Sequence, residues 1–447
     1  MSRLKNYSVT RITKPVRKFL QHEKAGGIVL GISVILALAI ANSPWSEHYH
    51  HFLSNQFGFV FQGKTFLEYD IHHWINDGLM AVFFFVVGLE LKREMKTGAL
   101  SQPRNAILPI VAAVGGMVVP AIIYFSMNSS GEATRGWGIP MATDIAFALG
   151  VLSLLGNKIP FTLKVFLTAL AIVDDLGAVI VIALFYTADI SLTYLLVGML
   201  FIMIMYLGNK TGVRSMMFYA ILGIGGAWVC FLLSGVHATV AAVLAAFTIP
   251  IDVKVSQSSF IKKMQGYLEQ LKHDAGAQGS PTLTNEQMHI MEEVKKDTDH
   301  AIPPLQKMEH ALQPYVSFII IPIFALANAG VSVLDIDPEQ VFGNNIAWGV
   351  ALGLFVGKVV GVVGLTLLLV KLKVAALPEG MHSRNLLGMG FLAAIGFTMS
   401  LFITSLAFNN HELFQTQAKL GIFAASIIGG VVGYMILNGS SKKTKLA

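Results

Sequence analysis

Charged residues in this chain fall in short clusters separated by apolar runs of about 17 to 28 residues, close to the roughly 20 that a helix needs to cross a bilayer. No other feature restricts the fold as much. Only 13% of the 447 residues are charged and 54% are hydrophobic, with a mean hydropathy of +0.64, whereas a typical globular domain is about 25% charged. An ordinary soluble enzyme is excluded, and an all-α polytopic membrane protein is expected. The 42 glycines are scattered through the apolar runs, as expected where helices pack closely or are interrupted. Cys230 is the only cysteine, so no intrachain disulfide or cysteine-based metal site can form. The net charge of +6 would point to nucleic acid in a soluble chain. Here its placement matters instead, and no nucleic-acid partner is expected.

Reading the runs against their breakers places twelve spans near 25–42, 73–91, 105–126, 136–155, 165–187, 190–208, 216–233, 235–251, 314–333, 346–370, 385–405 and 416–437. Of the 32 basic residues, 28 then fall on one side: in segment 1–24, in the loops after spans two, four, six, eight and ten, and in the tail 438–447. Lys64, Arg135 and Lys419 lie opposite, and Lys358 falls inside a span. Lysine and arginine accumulate in cytoplasmic loops, so both termini are expected in the cytoplasm, flanking one transporter domain over 25–437. The basic start, apolar stretch and Ala39-Ile40-Ala41 also suggest a signal peptide. The stretch exceeds the usual ~7–15 residues, however, and reads better as an uncleaved first span.

Two segments lie outside the spans. Residues 57–69 flank Gln62-Gly63 and read as a short external β-hairpin; such a hairpin is marginal alone, which makes a subunit partner plausible. The cytoplasmic loop 252–313 reads as an amphipathic helix from Phe260 to Lys272, a linker from Ala275 to Thr284 and a second charged helix. It is either a solvated tether or a regulatory arm.

Ionisable residues at bilayer depth are costly and mark function by default. Asp174 and Asp175 lie about ten residues into span five, Asp144 about eight into span four and Lys358 about twelve into span ten. At ~1.5 Å per residue, all four sit near one depth. A structural salt bridge such as Asp175 with Lys358 would account for one pair, but three carboxylates against one ammonium leave negative charge for a cation or protons. The spans at or opposite these charges also look broken, at Gly138-Ile139-Pro140 in span four and Gly396-Phe397-Thr398 in span eleven. They are the middle members of spans three to five and ten to twelve, triplets that run in opposite directions. That is the arrangement of an inverted-topology repeat with two discontinuous helices at a midplane site. Where such helices cross, Asp144 could neutralise the half-helix N-termini and Lys358 the C-termini. Freed carbonyls and the Thr143 hydroxyl could coordinate a small hard cation.

Four stretches carry a resemblance: Thr143-Asp144-Ile145-Ala146-Phe147-Ala148-Leu149-Gly150, Ala171-Ile172-Val173-Asp174-Asp175-Leu176-Gly177-Ala178, Phe324-Ala325-Leu326-Ala327-Asn328-Ala329-Gly330-Val331 and Gly396-Phe397-Thr398-Met399-Ser400. In order and spacing they resemble the NhaA sodium/proton antiporters over nearly the whole chain. The resemblance implies twelve helices with spans four and eleven unwound and crossed, in a homodimer of the bacterial inner membrane. It makes Asp174 and Asp175 the sodium and proton site, Asp144 and Lys358 its charge compensators, and Thr143 a possible ligand. It assigns pH response to Glu90, Arg93 and Glu94 at the end of span two, with Glu309 and His310, and to His237. This chain departs from the family in having Gln313 where histidine is expected and in the length of 252–308, both of which bear on the pH set-point.

Burial and like charge disfavour double ionisation of adjacent carboxylates, so sodium or lithium would compete with protons at the pair. The expected function is a pH-regulated secondary transporter rather than an enzyme, needing no cofactor and exporting one sodium for about two protons electrogenically. Whether Lys358 itself carries a proton stays open. The rivals are a sodium-coupled symporter of a small organic solute, which would need a roomier polar cavity, and an intramembrane aspartyl protease, whose Gly-x-Gly-Asp motif is missing. The group His48, His50, His51, His72 and His73 lacks the spacing of a zinc site.

Overall fold

The computed structural model describes residues 23–61, 64–187, 190–273, 282–332, 345–409 and 411–444. Segment 1–22, the hairpin tip 62–63, most of the expected linker and the last three residues lie outside it. Among the described residues nine helices are long and apolar enough to cross a membrane, or eleven if two bent pairs each make one span. The chain is therefore a mostly helical, multi-pass membrane protein.

Helix α1 (Glu23–Ala41) bends by 110° into the short α2 (Ser46–Ser54). Strands β1 (Gln56–Phe61) and β2 (Lys64–Asp70) pair antiparallel, with an irregularity between Phe57 and Phe59. Asp70 ends β2 and caps α3 (Ile71–Lys96) by accepting from the His73 N–H at 2.6 Å, a standard way to satisfy a helix N-terminus. Next comes α4 (Pro103–Met127), with Pro103 in its first turn, where the missing N–H is harmless. A 3₁₀ run (Glu132–Met141) leads through Ala142–Asp144 into α5 (Ile145–Leu154). Helices α6 (Phe161–Phe185), α7 (Leu192–Lys210), α8 (Met216–Ser234) and α9 (Ala238–Thr248) follow. The last is apolar but has 11 residues, fewer than a full span needs.

The segment after α9 forms two helices, α10 (Gln257–His273) and α11 (Asn285–Ala301), the latter opened by a capping box between Thr284 and Gln287. Then come α12 (Pro304–Asn328), α13 (Asn345–Lys371), the bent pair α14 (Ser383–Ala393) and α15 (Phe397–Ala407), and α16 (Glu412–Thr444). Two boundaries differ from the sequence reading. Helix α12 begins at Pro304, not near 314, because a π-helical turn at Val316–Ile320 accommodates the backbone after Pro314. Residues Glu309, His310 and Gln313 consequently stand on a helix rather than in a loop. Helix α16 likewise continues to Thr444 through most of the expected tail.

Burial sorts the helices. The most apolar stretches of α3 and α6 are each 61% buried, those of α7 and α8 only 17% and 22%. The outer pair turns Leu192, Leu196, Leu200, Met203 and Ile224 outward, as lipid-facing helices do. Between α4 and α13 the backbones come into direct contact at glycines: a Cβ on Gly357 would lie 2.7 Å from Pro120 Cα, and one on Gly115 would lie 2.4 Å from Gly361 O. This close approach carries Lys358 into the interior, where it is fully buried.

Candidate functional site

The chain leaves helical geometry at Ala142–Asp144 and again at Ala394–Gly396, and the two breaks are bound to each other. The Asp144 N–H donates to Ile395 O at 2.6 Å, the Thr143 hydroxyl to Ala393 O at 3.0 Å and the Ser400 hydroxyl to Ile139 O at 2.8 Å. Each interrupted helix thus has carbonyls at its C-terminal end satisfied by donors from the other. Polar backbone this deep has no water to turn to, so such pairing is what makes the interruption tolerable.

Asp144 closes the opposite ends. One carboxylate oxygen accepts from the Phe147 N–H at 3.0 Å, capping α5. Its other oxygen accepts from the Thr398 N–H at 3.0 Å and the Thr398 hydroxyl at 2.6 Å, at the start of α15. A single buried carboxylate therefore faces the positive ends of two helix dipoles. Lys358 was expected to answer the two C-termini, but its Nζ instead donates to Asp174 Oδ2 at 2.5 Å, both side chains being wholly inaccessible. The neutral donors above have already satisfied those carbonyls. A π-helical turn at Gly353–Gly357 immediately precedes Lys358 and sets the direction in which it leaves α13.

The buried ion pair thus involves Asp174, not Asp175. Both aspartates lie on α6 and are buried, and Thr143 adjoins Asp174. Oxygen Oδ1 of each aspartate has no hydrogen-bond partner. With Asp144 held by two helix ends and Asp174 by Lys358, the uncompensated carboxylate is Asp175. Thr143, Asp144, Asp174, Asp175 and Lys358 are brought into one region by α5, α6, α13 and the two breaks.

The proposed pH-response residues form two separate groups. At the end of α3, Arg93 lies 3.2 Å from Glu94, 3.3 Å from Glu309 of α12 and 3.9 Å from Glu90. It therefore links α3 to α12, while His310 is exposed at the edge of this cluster. Nearby, Lys92 donates to Phe247 O at 2.7 Å and Ile249 O at 2.5 Å, a cation at the C-terminus of α9. His237 is remote from this group, bonded to Tyr186 O at 2.8 Å with Asp77 at 3.8 Å. It lines a cavity of 1370 Å³ together with His72, His73, Asp77 and Lys419. Among the described residues no group of three or more histidine, cysteine, aspartate or glutamate side chains is placed to hold a metal ion.

Sequence reasoning gave no role to Thr398 or Ser400, although both stand within Gly396-Phe397-Thr398-Met399-Ser400; hydroxyls directly after a predicted break were the available signal. Residues 17–437 match the family described as Na+/H+ antiporter 1. The chain is 46% identical over 432 residues to the Na(+)/H(+) antiporter NhaA of Christiangramia forsetii, covering 97% of this chain and 96% of that protein. It is 46% identical over 421 residues to the protein of the same name from Wolinella succinogenes (94% and 92% covered) and 44% over 429 residues to Na(+)/H(+) antiporter NhaA 1 of Saccharophagus degradans (96% and 92%). The match runs through both breaks and all four buried charges, and the chain belongs to the Na+/H+ antiporter 1 family, a family of transporters rather than enzymes.

Proposed function

We propose that the chain is a sodium/proton antiporter that exports one sodium or lithium ion for about two protons, by alternating access at Asp174 and Asp175. The observation that carries this is Asp175: a buried carboxylate beside an ion pair that is already complete, with one oxygen unpartnered. A buried charge without a partner costs about several kcal/mol, so Asp175 takes up either a proton or a cation, and each displaces the other. The family and the relatives' names support sodium and protons as the ions; those names leave the solute-symporter reading without support. The Thr143 hydroxyl oxygen, and the carbonyl lone pairs at the breaks that the neighbouring donors do not use, supply the oxygen ligands that a hard cation prefers.

Two protons inward per sodium outward move one net positive charge inward per cycle. A membrane potential, worth ~2.3 kcal/mol per charge per 100 mV, then drives sodium out. The second proton travels on Asp174 or, if sodium displaces it from the ion pair, on Lys358. Glu90, Arg93, Glu94, Glu309 and His310 form the cytoplasmic pH-response cluster, with His237 acting on the opposite side. Nine long helices, two bent pairs and α9 make the twelve spans of an inverted repeat with crossed broken helices, both termini cytoplasmic in a bacterial inner membrane. The hairpin, which exposes Phe57, Val60 and Phe66, joins two copies into a homodimer. No cofactor and no nucleic acid take part, and membrane lipid covers the outer helices.

The test is sodium-triggered proton movement in proteoliposomes from about pH 6.5 to about pH 9 with the membrane potential clamped at two values. Movement that depends on both sodium and voltage is expected. Its absence at every pH would refute the proposal.

A further inference from the structure

Lys419 is a cation for which the exchange cycle has no use. It stands seven residues into α16, within the stretch Glu412–Gly439 that is long and apolar enough to cross a membrane, and it is half-buried. An ionisable side chain in such a position is costly and marks function by default. Pairing does not account for it. Among the described residues its ammonium makes no hydrogen bond or ion pair, and Glu412, the acid whose field reaches it, lies two turns back at the exposed start of the helix. Lys419 instead lines the cavity of 1370 Å³.

That cavity is walled by the far ends of the elements that build the buried site. Phe185 closes α6 ten residues after Asp175, Ser405 follows Thr398 by seven residues on α15, and Trp137 belongs to the 3₁₀ run that leads into the break at Asp144. At ~1.5 Å per residue the cavity lies about 10–15 Å along these helices from the site. Its other charges are engaged or peripheral. Asp70 accepts from the His73 N–H at 2.6 Å, and Asp77 is shared between His73 at 3.1 Å and His237 at 3.8 Å. Glu47, Arg135 and Glu412 are exposed. Among the described charges of the cavity, Lys419 is the one that is sheltered and yet unpaired.

We propose that Lys419 weakens sodium binding from the outer solution: its unpaired ammonium, on the wall of the outer cavity, repels a cation held at Asp174 and Asp175 and so keeps the exported ion from being retained. The inference rests on the antiporter reading and its topology. Its sign does not depend on the cavity's acids, because removing one positive charge favours a bound cation whatever the other charges contribute. The size follows from Coulomb's law. Unit charges 10–15 Å apart, at an effective dielectric constant midway between about 20 and about 80, change an affinity about threefold.

The experiment is sodium/proton exchange by the full chain in proteoliposomes of uniform orientation, with sodium varied on the outer face at about pH 9, where protons compete least. Lys419→Gln is expected to lower the outer KM for sodium about threefold, and Lys419→Arg, which keeps the charge, to leave it where it is. A KM unmoved in Lys419→Gln, or lowered equally in Lys419→Arg, would overturn the proposal. Should Lys419→Gln fail to fold, Lys419→Cys in a Cys230→Ser background decides. A cationic, membrane-impermeant methanethiosulfonate added outside should raise the KM of that variant to the original value, and a neutral reagent of similar size should not; equal effects of the two would mean that bulk matters rather than charge, and would overturn the proposal. The two readings fail differently. Exchange absent from the unaltered protein refutes the antiporter and this inference with it, whereas exchange with an outer KM indifferent to the charge at 419 refutes the role of Lys419 alone.

Discussion

Asp144→Ala is the sharpest test of how the two breaks are held. The substitution removes one acceptor from the Phe147 N–H at 3.0 Å and another from Thr398, whose N–H and hydroxyl bind at 3.0 and 2.6 Å. Each helix cap contributes about 0.5–2 kcal/mol, so loss of both should cost about 1–4 kcal/mol and lower the unfolding midpoint in mild detergent by several degrees. Asp144→Asn separates the two ends, because asparagine has one acceptor oxygen and must leave either α5 or α15 uncapped; an intermediate loss is expected. The decisive comparison is a double-mutant cycle with Thr398→Val. In the unaltered background Thr398→Val removes a hydrogen bond to a charged acceptor. With alanine at 144 it removes only an unpartnered hydroxyl and should be neutral or slightly stabilising. The coupling should be about 1–3 kcal/mol. Strict additivity, or an Asp144→Ala protein as stable as the original, would refute the shared cap.

Asp175→Asn should abolish sodium-dependent proton movement while leaving the fold intact, since Asp175 makes no ion pair; normal exchange in proteoliposomes would remove Asp175 from the site. Gln313→His, one turn beyond Glu309 on α12, should shift the pH profile of exchange without lowering its maximum, and a lost maximum would count against its peripheral role. Lys358→Arg keeps the charge but cannot release a proton; voltage-dependent exchange should disappear if Lys358 carries the second proton and persist if Asp174 does. In the α10–α11 segment, hydrogen bonds from Lys263 and Tyr267 hold the Asp297 carboxyl below the usual carboxylate range. Its contribution is therefore present above the unfolded value of about 4 and is lost as pH falls through the depressed one. Lys263→Met should make amide exchange of α11 quicken at a higher pH than in the unaltered protein, and an unchanged onset would deny the contact.

Much of this architecture is legible in the sequence because bilayer thickness fixes span length, and counting along spans was enough to put four charges at one depth. Counting does not give rotation. Asp174 and Asp175 are neighbours about 100° apart on one helix, and which of them meets Lys358 depends on how α6 and α13 are turned. The π-helical turn at Gly353–Gly357 alters that rotation without leaving a distinctive mark in a run of small and apolar residues. Pro314 was misleading for a related reason: it looked like a helix start, yet the π-helical turn after it lets α12 reach back to Pro304 and carry Glu309 to Arg93. The double cap at Asp144 joins positions 254 residues apart, a separation over which no periodicity operates. His72 and His73 resembled loop histidines because Asn328, which meets His72 at 3.1 Å, lies 256 residues away.

The charge arrangement also explains why the chain needs both broken helices and a buried lysine. Three carboxylates buried together would repel one another and each would resist ionisation. Asp144 escapes this by facing two helix N-termini, positive partial charge that comes from backbone and cannot be titrated away. Asp174 depends on Lys358, a single buried side-chain charge that a competing cation displaces in the proposed exchange. Asp175 has neither. The three acids are thus graded from compensated by backbone, through compensated by a side chain, to uncompensated, and in the proposed exchange the last two respond to an arriving sodium ion. An ion that binds Asp175 alone displaces at most one proton. In the proposed cycle, an ion that also draws Asp174 Oδ2 away from Lys358 leaves that ammonium buried and unpaired, and its proton is then the second one released. The proposed electrogenic exchange therefore depends less on having two adjacent aspartates than on their being neutralised differently.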